Sequence, residues 1–244
     1  MPATRKRNQS PEFVLGVDGC PIGWVFVALD SQKRFAKVGV VKTLDSLISG
    51  PGRDIRVIMV DMPIGLKDSG KRCCEAEARK FLGPRRSSIF PSPLRPMLGF
   101  EHYSDANAWG KTMGAGLSKQ SWNIMGKIRE LDATITPALQ AKVKEAHPEV
   151  AFTRMRGKPC GHAKRQPEGI AERLSALADH EFPVDPADLF SELRKTHRAC
   201  DVKRDDVIDA CALALSGIET LDGRCVRMGD GEKDARGLIM EICG

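Results

Sequence analysis

The sequence lacks any long apolar run, so it contains no stretch that could serve as a membrane span. No segment approaches the roughly 20 consecutive apolar residues that a membrane helix needs. Residues 1–12 are basic and polar, which predicts a disordered tail rather than a secretory signal. We therefore expect a cytoplasmic protein in which residues 13–244 form a single domain.

Cysteine pairs with the Cys-x-x-Cys spacing of metal or redox motifs are also missing. The eight cysteines include no Cys-x-x-Cys pair, and a chain of 244 residues is too long for a small disulfide scaffold. Their spacing predicts reduced structural thiols. A zinc site is the alternative, and without paired knuckles it is disfavoured. Its candidate ligands are Cys160, His162, His197 and Cys200.

The excess of positive charge is small. Lys and Arg number 38 against 32 Asp and Glu, which gives a formal net charge of +6. This balance permits an anionic partner without requiring one. Hydrophobic residues make up 41% and charged residues 29% of the chain, which excludes a disordered or collagen-like protein.

The order of the predicted elements indicates an α/β fold. Three strand patterns with short turns, at residues 13–19, 24–29 and 34–41, predict an antiparallel meander. The apolar segment at residues 56–61 predicts a strand covered on both faces, as in a parallel pair. With helices and short strands after it, the pattern predicts a mixed five-stranded sheet of meander plus parallel strands, flanked by helices, with a helical and loop insertion at about residues 85–140.

Four further segments have local patterns. The periodicity over residues 118–135 predicts one helix, and residues 205–218 predict a buried helix with almost no polar side. A short strand is predicted within residues 143–152, with His147, Glu149 and Ala151 alternating on one face. A last strand is predicted near residues 238–242.

Acidic residues stand where these elements could bring them together. Asp18 and Asp61 each end a predicted strand before a glycine-containing turn, so neighbouring parallel strands would place both at one edge of the sheet. Asp206 and Asp209 project from one face of the buried helix. Each acid has an alternative: a turn hydrogen bond for Asp18 and Asp61, a helix cap for Asp206, and a buried ion pair for Asp209.

Clustered carboxylates favour a hard divalent cation. Mg²⁺ or Mn²⁺ would relieve their mutual repulsion. Two such ions about 4 Å apart can activate a water molecule and stabilise the leaving oxygen of a phosphodiester. The acids therefore predict metal-dependent hydrolysis.

Basic and hydroxyl side chains could bind the phosphate of such a substrate. A compact donor cluster suits phosphate oxygens, and it consists of Arg85, Arg86, Ser87 and Ser88. Lys164 could reach the acids or a phosphate, with ordinary surface charge as the alternative. His147 is either a general acid or base, or a structural histidine bonded to backbone.

Several motifs taken together resemble a known family. They are Gly16–Trp24, Asp61–Gly65, Leu82–Phe90, His147–Phe152 and Asp205–Ala210. In this order they resemble the predicted RNase-H-like nuclease family of domain of unknown function 429, which is related to Holliday-junction resolvases. The resemblance implies an RNase-H-like fold with metal ligands at Asp18, Asp61, Asp206 and Asp209. It adds Glu149, from the family's His-Pro-Glu motif, as a further acid near the site.

These observations predict a divalent-metal-dependent nuclease with DNA or RNA as its partner. Two alternatives stay open. One is a non-catalytic binding module that kept the fold, and the other is an ATP-binding phosphotransferase, which would normally need a second domain of this kind. The oligomeric state is also open, a homodimer being one alternative.

Overall fold

Five strands form one mixed sheet in the computed structural model, which describes residues 12–244. The strands are β1 (Phe13–Cys20), β2 (Gly23–Asp30), β3 (Phe35–Val41), β4 (Val57–Val60) and β5 (Val143–Glu145). The spatial order is β3-β2-β1-β4-β5. β2 pairs antiparallel with both β1 and β3, and β4 pairs parallel with both β1 and β5. The predicted α/β fold is confirmed. Apart from Glu12, the predicted N-terminal tail lies outside the described residues.

Helices flank this sheet. They are α1 (Leu44–Ser49), α2 (Cys73–Leu82), α3 (Tyr103–Thr112), α4 (Lys119–Asn123), α5 (Met125–Thr134), α6 (Pro137–Gln140), α7 (Pro148–Arg156), α8 (Pro167–Asp179), α9 (Pro186–Arg194) and α10 (Arg204–Leu221). Short 3-10 helices span Gly83–Ser88 and Arg95–Gly99. None of the helices within residues 12–244 has both the length and the apolar character that crossing a membrane requires.

The alternation of side chains along β1 divides the core into two layers. Leu15 and Val17 pack on the face covered by α1 and α5. Val14 belongs to the opposite layer, which contains the apolar side chains of α10. Because neighbouring positions of a strand point to opposite faces, residues 14, 16 and 18 all face α10.

Gly16 lets α10 lie directly against the sheet. A Cβ atom at this position would come within 2.0 Å of the Ala210 carbonyl oxygen and 2.2 Å of the Ala214 nitrogen. The helix backbone therefore packs on the strand backbone at this point. This close contact determines how near the N-terminal half of α10 lies to the ends of β1 and β4.

The segment at residues 143–152 differs from the prediction. The strand ends at Glu145, and a helix follows instead of a continued alternation. His147 is the N-cap of α7 and accepts a hydrogen bond from the Glu149 nitrogen, while Pro148 occupies the first helical position. Proline has no N–H to donate to a strand and its fixed φ suits a helix start, so the helix is favoured here.

The prediction of a single helix over residues 118–135 is also wrong. The structure contains α4 and α5, separated at Ile124, whose ψ of 5° is not helical. Asn123 and Gly126, two weak helix formers, flank the break. The buried helix predicted for residues 205–218 is confirmed as α10. The last strand near residues 238–242 is β7 (Ile242–Cys243), which pairs with β6 (Arg227–Met228) in a separate two-stranded sheet.

We expect Gly16→Ala to destabilise the protein by about 1–3 kcal/mol, because the added methyl group overlaps backbone atoms of α10 that have no free space to move into. Urea denaturation followed by circular dichroism measures the loss. Gly99→Ala is the matched control, since a Cβ atom there meets no atom within 4 Å. Equal stability of the two variants would contradict this account of the contact between β1 and α10.

Candidate functional site

The strand register places Asp18 and Asp61 side by side. Val17 pairs with Val60 in the parallel ladder, so the two aspartates take the next positions on neighbouring strands. The Asp61 nitrogen donates a hydrogen bond to the Val17 oxygen over 3.0 Å, which continues the pairing to this point. Val57 and Met59 face α10, and Asp61 follows on the same face by alternation. Both carboxyl groups therefore lie at one edge of the sheet, on the side that α10 covers.

α10 contributes Asp209 above this edge. Asp209 is 2% exposed and lies in the N-terminal half of the helix, one residue before Ala210, which packs on Gly16. Its Oδ2 atom accepts a hydrogen bond from Lys164 Nζ over 2.6 Å. Lys164 Nζ also lies 3.7 Å from Asp205 Oδ2. An ammonium group thus lies beside the acids that α10 carries.

A single cavity of about 460 Å³ joins these groups. Its charged lining consists of Asp18, Asp61, Arg72, Glu75, Arg85, Lys127, Glu145, Glu149, Lys164, Arg165 and Asp209. The acids come from β1, the end of β4, α2, β5, α7 and α10. Six elements from different parts of the chain therefore bring carboxylates to one concave surface, which is the geometry that ligand and metal sites use.

Asp206 differs from the other predicted acids. Its Oδ2 atom accepts a hydrogen bond from the Lys203 nitrogen over 2.9 Å, and the residue stands in the first turn of α10. It is absent from the cavity lining within the described chain. The carboxylate therefore accepts a hydrogen bond from a backbone N–H group at the N-terminus of the helix, which has no partner within the helix. Its negative charge also contributes to raising the pKa of Asp18.

Burial and mutual repulsion disfavour the charged forms of these acids. Burial, followed by the charges of Asp61 and Asp209, raises the pKa of Asp18 well above its usual range. Burial also raises the pKa of Asp61, although His147 and Lys164 partly oppose the shift. The pKa of Asp209 rises to about 6 through burial, and the bond from Lys164 lowers it only in part.

Lys164 is the counter-charge of this cluster. Burial alone would lower the pKa of its ammonium group, but the carboxylates of Asp209 and Asp18 outweigh burial and raise the pKa above its usual range. Lys164 therefore stays charged at neutral pH and neutralises part of the negative charge in the cavity.

Glu149 is held by an arginine that the sequence analysis did not single out. Arg173 of α8, 1% exposed, donates through Nη2 to Glu149 Oε1 and through Nη1 to the Gly169 oxygen over 2.7 Å. The second oxygen, Glu149 Oε2, is buried without a hydrogen-bond partner among residues 12–244, and Arg85 Nε lies 3.9 Å away. The sequence contained a signal for the burial of Arg173. This residue lies four residues after Gly169 and three before Ala176, at the helical spacing of the buried face of α8.

A second buried ion pair, Arg72 with Glu145, also lines the cavity. Arg72 is 3% exposed and donates to Glu145 through both Nη atoms, and also to Ser92 Oγ over 3.1 Å. Glu145 Oε2 accepts from the Ile64 nitrogen over 2.7 Å. These bonds connect β5 with the segment after β4 and with the loop around Ser92. Glu145 is the last residue of β5, while Asp18 lies near the end of β1 and Asp61 directly follows β4. This shared position at the carboxyl ends of strands is the signal that could have found Glu145.

His147 has a positioning role. Its Nδ1 accepts from the Glu149 nitrogen over 3.2 Å, so Nε2 carries the proton and donates to the Ser88 oxygen over 3.3 Å. Both ring nitrogens are engaged, which matches the structural alternative for this histidine. The ring connects the start of α7 to the 3-10 helix Gly83–Ser88 and so helps place Glu149 and Arg85.

The predicted phosphate-binding cluster is divided between the cavity and its surroundings. Arg85 and Ser88 line the cavity, whereas Arg86 and Ser87 are exposed and lie outside its lining. The turns of the 3-10 helix point neighbouring residues in different directions, so four consecutive donors cannot all face one phosphate.

The chemistry of the donors fits a divalent cation, although no complete ligand cage is preformed. Within residues 12–244, no group of three or more His, Cys, Asp or Glu side chains surrounds a common cation position, and this includes the zinc candidates. Lys164 neutralises Asp209 instead. Asp18 and Asp61 form no ion pair within the described residues. Glu149 Oε2 has no hydrogen-bond partner among these residues, although Arg85 Nε lies 3.9 Å away. These hard oxygen donors are what Mg²⁺ and Mn²⁺ prefer.

We expect Asp18→Asn to stabilise the protein at pH 8 in EDTA, because asparagine removes a buried negative charge that Asp61 and Asp209 repel. An acid whose pKa is raised on folding stabilises the protein while it is protonated, and this contribution is lost as the pH rises through the folded-state pKa. The gain from Asn should therefore shrink at pH 5.

Urea denaturation at the two pH values measures this difference. Asp68→Asn, at an exposed loop position, is the control and should change stability equally little at both. A stabilisation by Asp18→Asn that is independent of pH would show that charge repulsion is not its cause.

Comparison with known proteins adds the family. A family model described as "Protein of unknown function (DUF429)" matches residues 16–234. Neither the curated proteins nor the solved structures compared with the chain contain a match. The matched range includes every acid of the cavity, from Asp18 to Asp209. The chain belongs to the DUF429 family.

Proposed function

We propose that this protein is a divalent-metal-dependent nuclease that hydrolyses phosphodiester bonds in nucleic acid. One observation carries the proposal: Asp18, Asp61, Glu149 and Asp209 line the same cavity as Lys164 and Arg85. Carboxylates that can hold a cation and cations that can bind a phosphate thus face one space. This combination suits hydrolysis of a negatively charged phosphodiester.

Asp18 and Asp61 would hold Mg²⁺ or Mn²⁺, since they are the cavity aspartates without an ion pair in the part of the chain that the structure describes. When bound, such an ion activates water for attack and stabilises negative charge on the leaving oxygen. Asp209, hydrogen-bonded to Lys164, would contribute a further carboxylate near the two ligands. Asp206 accepts a hydrogen bond from the Lys203 nitrogen and so stabilises the N-terminal turn of α10.

The remaining charged groups act on the substrate. Arg85 and Ser88 line the cavity, and their side chains carry a guanidinium and a hydroxyl group. Both can donate to phosphate oxygens. Glu149 Oε2, which lacks a hydrogen-bond partner among the described residues, can accept a proton or a hydrogen bond from a water molecule. Arg173 and His147 hold that glutamate in place.

The RNase-H-like assignment is part of the same proposal. The parallel pairing of β1 with β4, and a helix bearing Asp209 packed across their ends, support it. A nucleic acid partner agrees with the net charge of +6.

We expect purified protein to cleave labelled oligonucleotides in Mg²⁺ or Mn²⁺ but not in EDTA, and Asp61→Asn to reduce the rate at least about 100-fold, because loss of a metal ligand removes several kcal/mol of transition-state stabilisation. A gel assay with single-stranded and duplex DNA and RNA measures the rates. Asp68→Asn, an exposed loop variant, should cleave like the wild type. Cleavage in EDTA, or an unaffected Asp61→Asn variant, would refute the proposal.

A non-catalytic nucleic-acid-binding module is the second candidate, and one observation favours it. The Lys164 ammonium group already neutralises Asp209, so the folded cavity has a resident positive charge. In that case the protein would bind nucleic acid without cleaving it in any metal ion.

We expect Lys164→Met to bind Mn²⁺ roughly tenfold more tightly than the wild type, because removal of one positive charge leaves more negative charge for the ion to neutralise. Isothermal titration calorimetry measures the affinity. Lys158→Met, at an exposed position, should bind Mn²⁺ as the wild type does. Weaker binding by Lys164→Met would show that Lys164 organises the carboxylates rather than competing with the ion.

A further inference from the structure

The cavity has an apolar wall that hydrolysis at the carboxylates does not explain. It consists of Ile89, Phe90, Pro91 and Pro93 from the segment after the first 3-10 helix, with Ile124 and Ile128 from the junction of α4 and α5. Asp18 lies near the end of β1 and Asp61 directly follows β4, and both line the same cavity as this wall. The cavity therefore presents carboxylates and apolar side chains to one ligand.

Two side chains of this wall are unusually exposed. Phe90 is 45% and Ile124 36% exposed, although most large apolar side chains in residues 12–244 are buried. An aromatic ring left open beside a polar cavity costs free energy in the unliganded protein. A ligand with a flat apolar face would recover this free energy on binding.

The wall is held rigidly, so it is prepared before a ligand arrives. The Ser92 nitrogen donates to Glu75 Oε1 over 3.0 Å, and Ser121 Oγ donates to the Pro91 oxygen over 3.0 Å. Arg72, buried with Glu145, bonds Ser92 Oγ as well. Pro91 and Pro93 further restrict the backbone. A wall fixed in this way binds with little loss of conformational entropy.

The volume of about 460 Å³ limits what can enter. It lies within the range of pockets that take small ligands. Enzymes that act on one unit of a nucleic acid accept that nucleotide unpaired, in a pocket that stacks its base on apolar or aromatic side chains. Gln120, exposed on α4, lines the same cavity with an amide that can both donate to and accept from a base edge.

We infer that this cavity binds a single unpaired nucleotide, with its base against Phe90 and Ile124 and its phosphate toward Arg85 and the carboxylates. The inference rests on the proposed function and specifies its substrate class: a nucleotide in a single-stranded segment, or a free nucleotide, in place of a continuous duplex. The wall sets this preference because a base within a duplex has both faces covered by its neighbours and cannot stack on Phe90.

Fluorescence anisotropy tests the inference with a fluorescein-labelled single-stranded 12-mer of DNA, in Ca²⁺ to limit cleavage. Phe90→Ala should weaken binding about 5- to 100-fold, since loss of base stacking on an aromatic ring costs about 1–3 kcal/mol. Phe90→Trp should retain binding. Phe81→Ala is the matched control, because Phe81 is 40% exposed and lies outside the cavity lining.

Competition identifies the source of the nucleotide. An unlabelled blunt duplex of the same sequence should compete at least tenfold more weakly than the unlabelled single strand. Adenosine monophosphate that competes as well as the single strand would identify a free nucleotide as the ligand, and weaker competition would identify a strand segment. A duplex that competes equally, or a Phe90→Ala variant that binds like the wild type, would overturn the inference.

The outcomes separate this inference from the proposed function. Metal-dependent cleavage that is lost in Asp61→Asn but unchanged in Phe90→Ala would leave the nuclease proposal standing and refute the base-binding wall. A protein that neither binds nor cleaves any of these nucleic acids, and does not bind adenosine monophosphate, would refute both. Circular dichroism of each variant confirms that it is folded.

Discussion

The packing of α10 on β1 through Gly16 is the contact on which the site depends. A helix backbone lying directly on a strand brings Asp209 close to the edge of the sheet where Asp18, near the end of β1, and Asp61, just after β4, lie side by side. Because all three side chains lie on one side of the sheet, their charges share a poorly solvated space. The raised pKa values of all three are the consequence of this packing.

A fold can keep such a cluster only if other interactions offset the repulsion. Lys164 neutralises Asp209, and Arg173 neutralises Glu149, so two of the acids have a cationic partner. Burying an arginine with a glutamate costs desolvation free energy, which the additional bonds of each arginine to backbone oxygens reduce. The pairs Arg173–Glu149 and Arg72–Glu145 contribute more to the placement of the cavity walls than to overall stability. Asp18 and Asp61 are left without ion pairs within the described chain, as ligands for a cation would be.

The cavity lining suits different parts of one ligand. Its charged side chains can bind a metal ion and a phosphate, and Phe90 and Ile124 offer exposed apolar surface. The Arg72 network connects the two kinds of lining, because Arg72 bonds both Glu145 and Ser92, which lies between Pro91 and Pro93. A nucleotide has the same division into phosphate and base.

The sequence by itself determined the mixed sheet, the buried helix α10 and the strand-end positions of Asp18 and Asp61, because side-chain alternation and helical periodicity are local properties of the chain. It failed where a single proline decided between strand and helix, at Pro148. Only the tertiary structure decided that Lys164 bonds Asp209, that Arg173 holds Glu149 and that Phe90 lines the same cavity as the acids. Partners such as Lys164 and Asp209 lie 45 residues apart, and no local pattern encodes which charges meet once the layers have packed.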